Sequence, residues 1–279
     1  MPDSTRPVNI GMINSYDVVG DIAIVRLTKD NPNKAKEYAS RILSTNKSLK
    51  TVLQQVSPIS GEFRLHTLKY LAGENKANTV HKESGCSFAV NLATCYFSPR
   101  LSFERSRVAR AVNIGEFVIN MFAGVGCFSI LIAKTAKLTK IFSIDANPSA
   151  LEFLCRNITV NRVYSQVIPI LGDSRKVVQE NFLGVADRVL MPLPAKAFEY
   201  LDVALAALNP HGGWIHYYDF GHANAKEDAI EKTKLKVCKR LDELKVHFDI
   251  PFSRIVRSTG PNWVQIVLDI HVAQTRDKS

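Results

Sequence analysis

The chain has 279 residues, of which 46% are hydrophobic and 22% are charged, a balance typical of globular proteins and not of disordered chains. No apolar run reaches the ~20 residues that a membrane-spanning helix needs, and the polar start lacks the apolar region of a signal peptide. We therefore expect a cytoplasmic protein. The formal net charge of +10 favours a polyanionic partner, although charge alone does not establish one.

Five scattered cysteines and seven histidines complete the composition. No C-x-x-C pair and no histidine cluster has the spacing of a metal site or a redox couple. We therefore predict buried free thiols and no bound metal. The cysteines are Cys86, Cys95, Cys127, Cys155 and Cys238.

Residues 1–95 are predicted to form a small α+β domain. The alternating, β-branched segment YDVVGDIAIVRL indicates a pair of strands that turns at Gly20. A helix follows, with Pro32 early in it and apolar residues at helical spacing, and a second helical stretch is predicted from Leu49. The segments FRLHTLKYL, TVHKESGCSFAVNL and TCYFS have the pattern of short antiparallel strands separated by turns.

Residues 96–279 have a different sequence pattern. After a first predicted helix, SFERSRVARAV, apolar strands alternate with amphipathic helices. This βαβ alternation predicts an α/β domain with a doubly wound parallel sheet, whose ligand crevice lies at the carboxyl ends of the strands. The predicted strands are EFVINMF, KIFSID, SQVIPILG, DRVLMPL, GGWIHYYDF and WVQIVLDI.

The stretch NMFAGVGCFSILIAK places Gly124 and Gly126 between a strand and a helix. Ser129 stands where a dinucleotide fingerprint has its third glycine, and the lysine of a phosphate-binding P-loop is absent. Asp145 and Asp173 follow the next two strands. Glycines admit close backbone approach, and a carboxylate accepts hydrogen bonds from ribose hydroxyls, so this series favours S-adenosylmethionine over NAD. Each acid alone is more often a helix cap or a loop residue.

Eight segments, taken in order from residue 16 to 273, resemble the archaeal and eukaryotic tRNA (guanine-N1) methyltransferase family. The most distinctive feature is YFSPRL followed by ER. The segments are YDVVGDIAIVR, YFSPRLSFERSRVA, NMFAGVGCFSILIAK, IDANPSALEFLCRNITVN, GDSR, DRVLMPLPAKAFEYL, GGWIHYYDF and RSTGPNWVQIVLDI.

The resemblance implies a Rossmann-like class I methyltransferase fold that uses S-adenosyl-L-methionine to methylate guanosine at tRNA position 37, beside the anticodon. The partner is then the anticodon stem-loop of tRNA, and we expect the protein to act as a monomer. The family pattern includes an additional N-terminal domain that recognises the outer corner of tRNA. We expect this chain to lack that domain, because it begins almost at YDVVGDIAIVR.

The resemblance assigns catalysis to Glu104, Arg100 and Pro194. Glu104 matches the base that takes the proton of guanine N1, and Arg100 matches an arginine that contacts guanine O6, where negative charge grows. Pro194 ends a segment that reads Asn-Leu-Pro in the family and MPLP here, so Pro192 replaces the asparagine that holds the guanine. A proline removes that amide and a backbone donor. A changed substrate, such as a wyosine-pathway intermediate at the same tRNA position, is therefore an open alternative.

The resemblance also implies the cofactor contacts. Asp145 would hold the ribose, Asp173 would lie near the adenine, and the glycine turn would face the methionine moiety. Asn120 replaces an aspartate that is common in the family, so a charge near the methionine amino group is lost. The full set of cofactor residues is Tyr96, Phe97, Phe122, Ala123, Gly124, Gly126, Asp145, Asn147, Asp173 and Pro192.

Basic side chains are expected to hold the RNA backbone on either side of the target base. Each alone is more often a surface charge. His216, Tyr217 and Tyr218 are interpreted as packing residues, with lining of the pocket as the minor alternative. Two other functions stay open: a wyosine-pathway transferase that moves a methyl or an aminocarboxypropyl group, and a non-catalytic RNA-binding module. The phosphate-contact candidates are Lys82, Arg105, Arg107, Arg110, Arg254 and Arg257.

Overall fold

The computed structural model describes residues 16–27, 32–57, 61, 63–224 and 227–273. The chain divides into two compact units. Unit 1 consists of the described residues up to Lys82 together with Ala89–Pro99, and unit 2 consists of Glu83–Phe88 and the described residues from Arg100 onward. Unit 1 thus ends four residues beyond the predicted boundary at 95, and the assignment of residues 83–88 to unit 2 was not predicted.

Unit 1 contains a four-stranded sheet of order β1-β2-β3-β4 and one helix. The hairpin predicted at Gly20, which has a φ of +55°, is confirmed by the antiparallel pairing of β1 with β2. Strands β2 and β3 are parallel, and β4 returns antiparallel. The elements are β1 (Tyr16–Val19), β2 (Ile22–Val25), α1 (Pro32–Thr45), β3 (Thr51–Gln55) and β4 (Leu68–Gly73).

Two predictions for this part of the chain are wrong. The stretch from Leu49 is not helical, because Thr51 and Val52 open a buried strand that pairs with β2 on one side and β4 on the other. A short apolar run fits either helix or strand, and here the two neighbouring strands decide. The segment TCYFS forms turns and irregular backbone, whereas β5 (Asn78–Glu83) and β6 (Cys86–Asn91) pair as a separate two-stranded sheet.

Unit 2 is built on a seven-stranded sheet of order β12-β13-β11-β10-β7-β8-β9. Neighbours from β11 to β9 are parallel, while β13 runs antiparallel to both β11 and β12. The elements are α2 (Ser102–Ala111), β7 (Phe117–Asn120), α3 (Cys127–Thr135), β8 (Lys140–Asp145), α4 (Pro148–Asn161), β9 (Val167–Leu171), α5 (Ser174–Asn181), β10 (Arg188–Met191), α6 (Leu201–Ala207), β11 (Gly212–His222), α7 (Ala229–Glu243), β12 (Phe248–Gly260) and β13 (Trp263–Ala273).

The six strands predicted after residue 100 are all present, which confirms the doubly wound α/β fold. The sheet is mixed and not wholly parallel, and β12 was not predicted. Residues 248–260 are partly polar, include Pro251 and lie at the outer edge of the sheet, where a proline is tolerated and no strong apolar pattern is required.

The strand order reverses between β7 and β10. From β7 the chain builds β8 and β9 on one side and then returns to place β10 on the other side. Such a switch point opens a crevice at the carboxyl ends of its two strands. Seven of the nine residues of α3 are buried, so the helix that follows β7 is fixed against the sheet. Within the described part of the chain, no helix is both long enough and apolar enough to cross a membrane.

Candidate active site

The turn between β7 and α3 needs glycine at two positions for different reasons. Gly124 has a φ of +55° and Gly126 a φ of +92°, a left-handed region that side chains rarely adopt. A Cβ on Gly126 would lie 2.3 Å from Cδ1 of Leu154, whereas a Cβ on Gly124 would meet no atom within 4 Å. Packing therefore dictates Gly126, and the backbone of Gly124 faces open space that a ligand can occupy.

Asp145 joins this turn to the end of the neighbouring strand β8. Its Oδ2 accepts a hydrogen bond from the backbone N–H of Gly124 at 2.6 Å, and its Oδ1 accepts one from the N–H of Asn147 at 2.9 Å. Burial raises the pKa of Asp145, and these two donors partly offset that effect. Each carboxylate oxygen retains a lone pair, so the half-buried group fits a ribose diol. The side chain of Asn147 itself caps α4 by accepting from the N–H of Ser149 at 3.0 Å.

Asp173 lies at the start of α5, where it caps the helix. Its Oδ1 accepts from the N–H of Arg175 at 2.8 Å, and its Oδ2 accepts from the hydroxyl of Tyr200 at 2.6 Å. Burial raises the pKa of Asp173, but these hydrogen bonds outweigh it and lower the pKa below its ordinary value. Burial and the neighbouring carboxylate of Asp173 raise the pKa of Tyr200 to about 12. The ring of Tyr200 meets Phe122 edge-on at 5.3 Å, so Asp173 is connected to the glycine turn.

Asn120 supports the turn from beneath. Its Nδ2 donates to the hydroxyl of Ser129 at 3.1 Å, and the hydroxyl of Ser143 donates to the same oxygen at 2.7 Å. Asn120 has no exposed surface. It therefore stabilises the buried side of the turn and presents no surface to a cofactor in this structure. Ala123, next in the turn after Phe122, is also buried.

The MPLP segment follows β10 at the switch point. Leu190 of β10 pairs with Asn120 of β7, so Pro192 and Pro194 begin at the same edge of the sheet as the glycine turn. The carbonyl of Leu193 accepts hydrogen bonds from the N–H groups of Lys196 and Ala197, both at 3.0 Å. The segment is thus a closed turn, with both prolines half-buried.

Glu104, the predicted base, lies on α2 with no exposed surface. Its Oε1 accepts hydrogen bonds from the Tyr218 hydroxyl at 2.8 Å and from Nη2 of Arg107 at 2.7 Å. Its Oε2 accepts from Nη2 of Arg254 at 3.0 Å. Burial raises the pKa of Tyr218 well above its ordinary value, so the phenol stays protonated and donates. Tyr218 is buried, as the packing interpretation expects, and its hydroxyl in addition holds Glu104.

Arg107 is fixed from its other side by Asp269 on β13. Its Nη1 lies 2.5 Å from Oδ2 of Asp269, and its guanidinium also lies over the ring of Phe252 at 4.4 Å. Burial opposes ionisation of Asp269, but hydrogen bonds from His216 and Arg107 lower its pKa to about 2. Arg107 is thus a bridge between two carboxylates, and the phosphate contact predicted for it stays a prediction.

The ion pairs of Glu104, Arg107 and Asp269 are the outer part of a connected set, the ion chain, which continues inward through His216 and Arg188. His216 Nδ1 lies 2.6 Å from Oδ1 of Asp269, and its Nε2 lies 2.8 Å from Nη1 of Arg188, which also pairs with Glu116 at 2.6 Å. Burial lowers the pKa of His216, so the neutral ring donates from Nδ1 and accepts at Nε2. His216 was interpreted as packing, yet it connects Arg188 to Asp269. A histidine and a tyrosine within the buried strand β11 were the available sequence signal.

The remaining cationic candidates divide by exposure. Arg105 is only 3% exposed and forms a two-pronged ion pair with Glu83, with its Nε at 2.7 Å from Oε1. The phosphate contact predicted at Arg105 is contradicted by this burial, since its guanidinium is already used inside unit 2. Arg100 and Arg110 are exposed on unit 2, and Arg257 is half-buried and donates to Gln265 at 2.8 Å.

Three candidate residues belong to unit 1. Lys82 is exposed, and Tyr96 and Phe97 are half-buried. Phe97 meets the ring of His81 at 5.1 Å. Their cofactor and substrate roles stay predictions. Among the described residues, no group of three or more histidine, cysteine, aspartate or glutamate side chains is placed to hold a metal ion.

Comparison with known proteins places this site in a family. The TRM5/TYW2 methyltransferase domain matches residues 79–247, and the TYW2 N-terminal domain matches residues 10–76. The chain belongs to the TRM5/TYW2 methyltransferase family. This membership confirms the class I methyltransferase fold with a small N-terminal domain and the use of S-adenosylmethionine as cofactor.

Two curated relatives are similar over most of the chain. The tRNA (guanine(37)-N(1))-methyltransferase Trm5b of Pyrococcus abyssi is 39% identical over 93% of this chain and 75% of its own length. The tRNA 4-demethylwyosine(37)-methyltransferase Taw21 of Saccharolobus solfataricus is 37% identical over 91% of this chain and 92% of its own length.

Solved structures of family members are also similar. The complex of aTrm5 with tRNALeu has a TM-score of 0.80 and 37% identity, covering 94% of this chain and 72% of that one. Trm5 of Methanocaldococcus jannaschii in complex with adenosine has a TM-score of 0.78 and 35% identity, covering 95% of this chain and 76% of that one.

Proposed function

We propose that this protein transfers a methyl group from S-adenosylmethionine to N1 of guanosine at position 37 of tRNA, and that it binds the anticodon stem-loop. The observation that carries the proposal is Glu104, a carboxylate buried between two guanidinium groups, in a chain 39% identical to a tRNA (guanine(37)-N(1))-methyltransferase. Proton removal from guanine N1 requires a base of this kind, because N1 carries a proton at neutral pH.

The cofactor supplies an electrophilic methyl group when bound. Asp145 would hold its ribose, the backbone at Gly124 would let it approach closely, and Phe122 lies beside the same turn. Glu104 would accept the N1 proton, and the N1 electron pair would form the new carbon–nitrogen bond as the carbon–sulfur bond of the sulfonium breaks and S-adenosylhomocysteine leaves. Arg100 stabilises the negative charge that grows on O6 as the proton leaves.

A second candidate function has its own support. The relative Taw21 matches this chain over nearly the whole length of both proteins, and that relative is a tRNA 4-demethylwyosine(37)-methyltransferase. Pro192 also removes the amide that holds guanine in the family pattern, so a tricyclic base is a reasonable substrate. Both candidates use the same cofactor and the same tRNA position.

Mass spectrometry of nucleosides distinguishes the functions. The protein is incubated with S-adenosylmethionine and with three tRNAs, carrying guanosine, adenosine or 4-demethylwyosine at position 37. A methyl group adds about 14 Da and an aminocarboxypropyl group about 101 Da, and the cofactor supplies either group. Methylated guanosine from the guanosine transcript alone supports the first proposal, and product from the modified tRNA alone supports the second.

Two controls complete this experiment. Glu104→Gln should keep cofactor binding and lose most turnover, and full activity in that variant would remove Glu104 as the base. Absence of product from every tRNA, with tRNA and cofactor both bound, would instead indicate a non-catalytic RNA-binding module.

We also propose that the protein acts as a monomer in the cytoplasm. Light scattering should then give a mass near the 31.1 kDa of one chain. A mass of twice that value at working concentration would contradict the monomer.

A further inference from the structure

The carboxylate of Glu104 is covered on every side in this structure. Oε1 accepts from Tyr218 and Arg107, and Oε2 accepts from Nε of Arg107 at 3.1 Å and from Arg254 at 3.0 Å. A general base needs a lone pair about 2.6–3.2 Å from the proton it removes. With no exposed surface, Glu104 meets that requirement only after one of its partners leaves.

The three partners differ in how firmly they are held. Tyr218 is 1% exposed and lies on the central strand β11. Arg107 is fixed by a second carboxylate, Asp269, and its side chain is 17% exposed. Arg254 lies on the edge strand β12, and its side chain is 29% exposed. Its other described contact is with Phe103, whose ring lies 4.6 Å from the guanidinium carbon. Arg254 is therefore the partner that can leave at least cost.

A phosphate group is the natural competitor for this side chain. Guanidinium groups bind phosphate with two parallel hydrogen bonds, as they bind carboxylates, and RNA carries one phosphate per nucleotide. Phe103 is 61% exposed, so the surface beside Arg254 is open to a polyanion. Arg107 would stay on Glu104 after Arg254 had left, which keeps one cation next to the carboxylate.

We propose that Arg254 is a substrate-released cover of the catalytic base: it occupies Oε2 of Glu104 in the free protein and moves to an RNA phosphate when tRNA binds. The inference rests on the proposed function, in which Glu104 is the base. Its consequence is selectivity, because the base becomes available only when a phosphate backbone lies beside it. Free guanine nucleosides and small phosphate-free bases would then be poor substrates.

The pH dependence of methyl transfer provides the test. The groups that face Glu104 are Arg107 from α2, Tyr218 from β11 and Arg254 from β12, with Asp269 on β13 behind Arg107. The profile of kcat/KM reports the free protein, whereas single-turnover rates at saturating protein report the tRNA complex.

Arg254→Ala removes a cation that lies next to the base only in the free protein. The acidic limb of kcat/KM should therefore move to higher pH. The acidic limb of the single-turnover rate should stay in place, because Arg254 has already left in the complex. If both limbs moved together, Arg254 would still lie on Glu104 in the tRNA complex. If neither limb moved, Arg254 would not occupy Glu104 in the free protein. Either result overturns the proposal.

A binding measurement tests the phosphate contact without any activity. The slope of the logarithm of the tRNA affinity against the logarithm of salt concentration should fall in magnitude by about 0.7 to 0.9 in Arg254→Ala, as expected for one lost phosphate contact. Arg254→Lys should keep that slope. If no tRNA is methylated, the proposed function fails, yet an unchanged slope in Arg254→Ala would still separately overturn the phosphate contact.

Two further variants act as controls. Arg156→Ala removes an exposed cation of α4 that is not among the candidate RNA contacts, so both acidic limbs should stay in place. Arg254→Gln replaces the alanine variant if that protein does not fold, because it keeps a hydrogen-bond donor and removes only the charge.

Discussion

Replacement of each glycine in the turn after β7 by alanine should give two different results. Both residues have positive φ, which costs an alanine about 1–2 kcal/mol. At Gly126 the new Cβ would also lie 2.3 Å from Cδ1 of Leu154, and such overpacking costs about 1–3 kcal/mol more. We therefore expect the free energy of unfolding to fall by about 1 kcal/mol in Gly124→Ala and by about 3 kcal/mol in Gly126→Ala.

Cofactor binding should show the opposite order: Gly124→Ala should weaken S-adenosylmethionine binding more than Gly126→Ala does. The Cβ of Gly124→Ala points into open space, so the fold tolerates it while the space left for S-adenosylmethionine shrinks. Urea unfolding gives the stability of each variant, and isothermal titration calorimetry gives its cofactor affinity. Equal stability losses would refute the packing argument at Leu154. Unchanged cofactor affinity in Gly124→Ala would show that the cofactor does not fill this space.

Three other changes test the site and its support. Asp145→Asn should weaken S-adenosylmethionine binding at least tenfold in calorimetry, because a carboxylate that accepts from two backbone donors becomes an amide. Arg105→Ala should lower the free energy of unfolding by about 3 kcal/mol, because it leaves the buried carboxylate of Glu83 without its partner, and Arg105→Ala/Glu83→Gln should recover part of that loss. The pKa of Asp269 is about 2 in the folded protein and 3.8 ordinarily, so its ionised form stabilises the fold above pH 4, and this stability is lost as pH falls towards 2. Asp269→Asn should remove that effect. In urea unfolding, the free energy of unfolding of this variant should change by about 2 kcal/mol less over the same pH range.

Local sequence patterns were sufficient where one element decides its own structure. The turn at Gly20 and the strand, turn and helix around Gly124 could be predicted because glycine and apolar periodicity are local signals. The strand at Thr51 was mistaken for a helix, because its conformation depends on pairing with β2 and β4. Strand β12 was missed because an edge strand needs no continuous apolar pattern.

The same distinction explains the site. Asp145 could be predicted from its place at a strand end, and Glu104 from the family resemblance. The inner part of the ion chain could not, because its members meet only through the sheet: His216 faces Asp269, 53 residues away, since β11 pairs with β13 in that register. Arg105 and Arg107 appear as surface cations in the sequence, and only the folded chain shows that Glu83 binds the first and Asp269 the second.

The path of the chain has a consequence for how this enzyme family can be recombined. The backbone enters unit 2 at Glu83, leaves it after Phe88 and enters it again at Arg100. A gene fusion that joins a foreign N-terminal module at residue 96 would therefore discard six residues of unit 2, among them the partner of Arg105. Successful chimaeras should instead have their crossover before residue 79, where the matched methyltransferase domain begins.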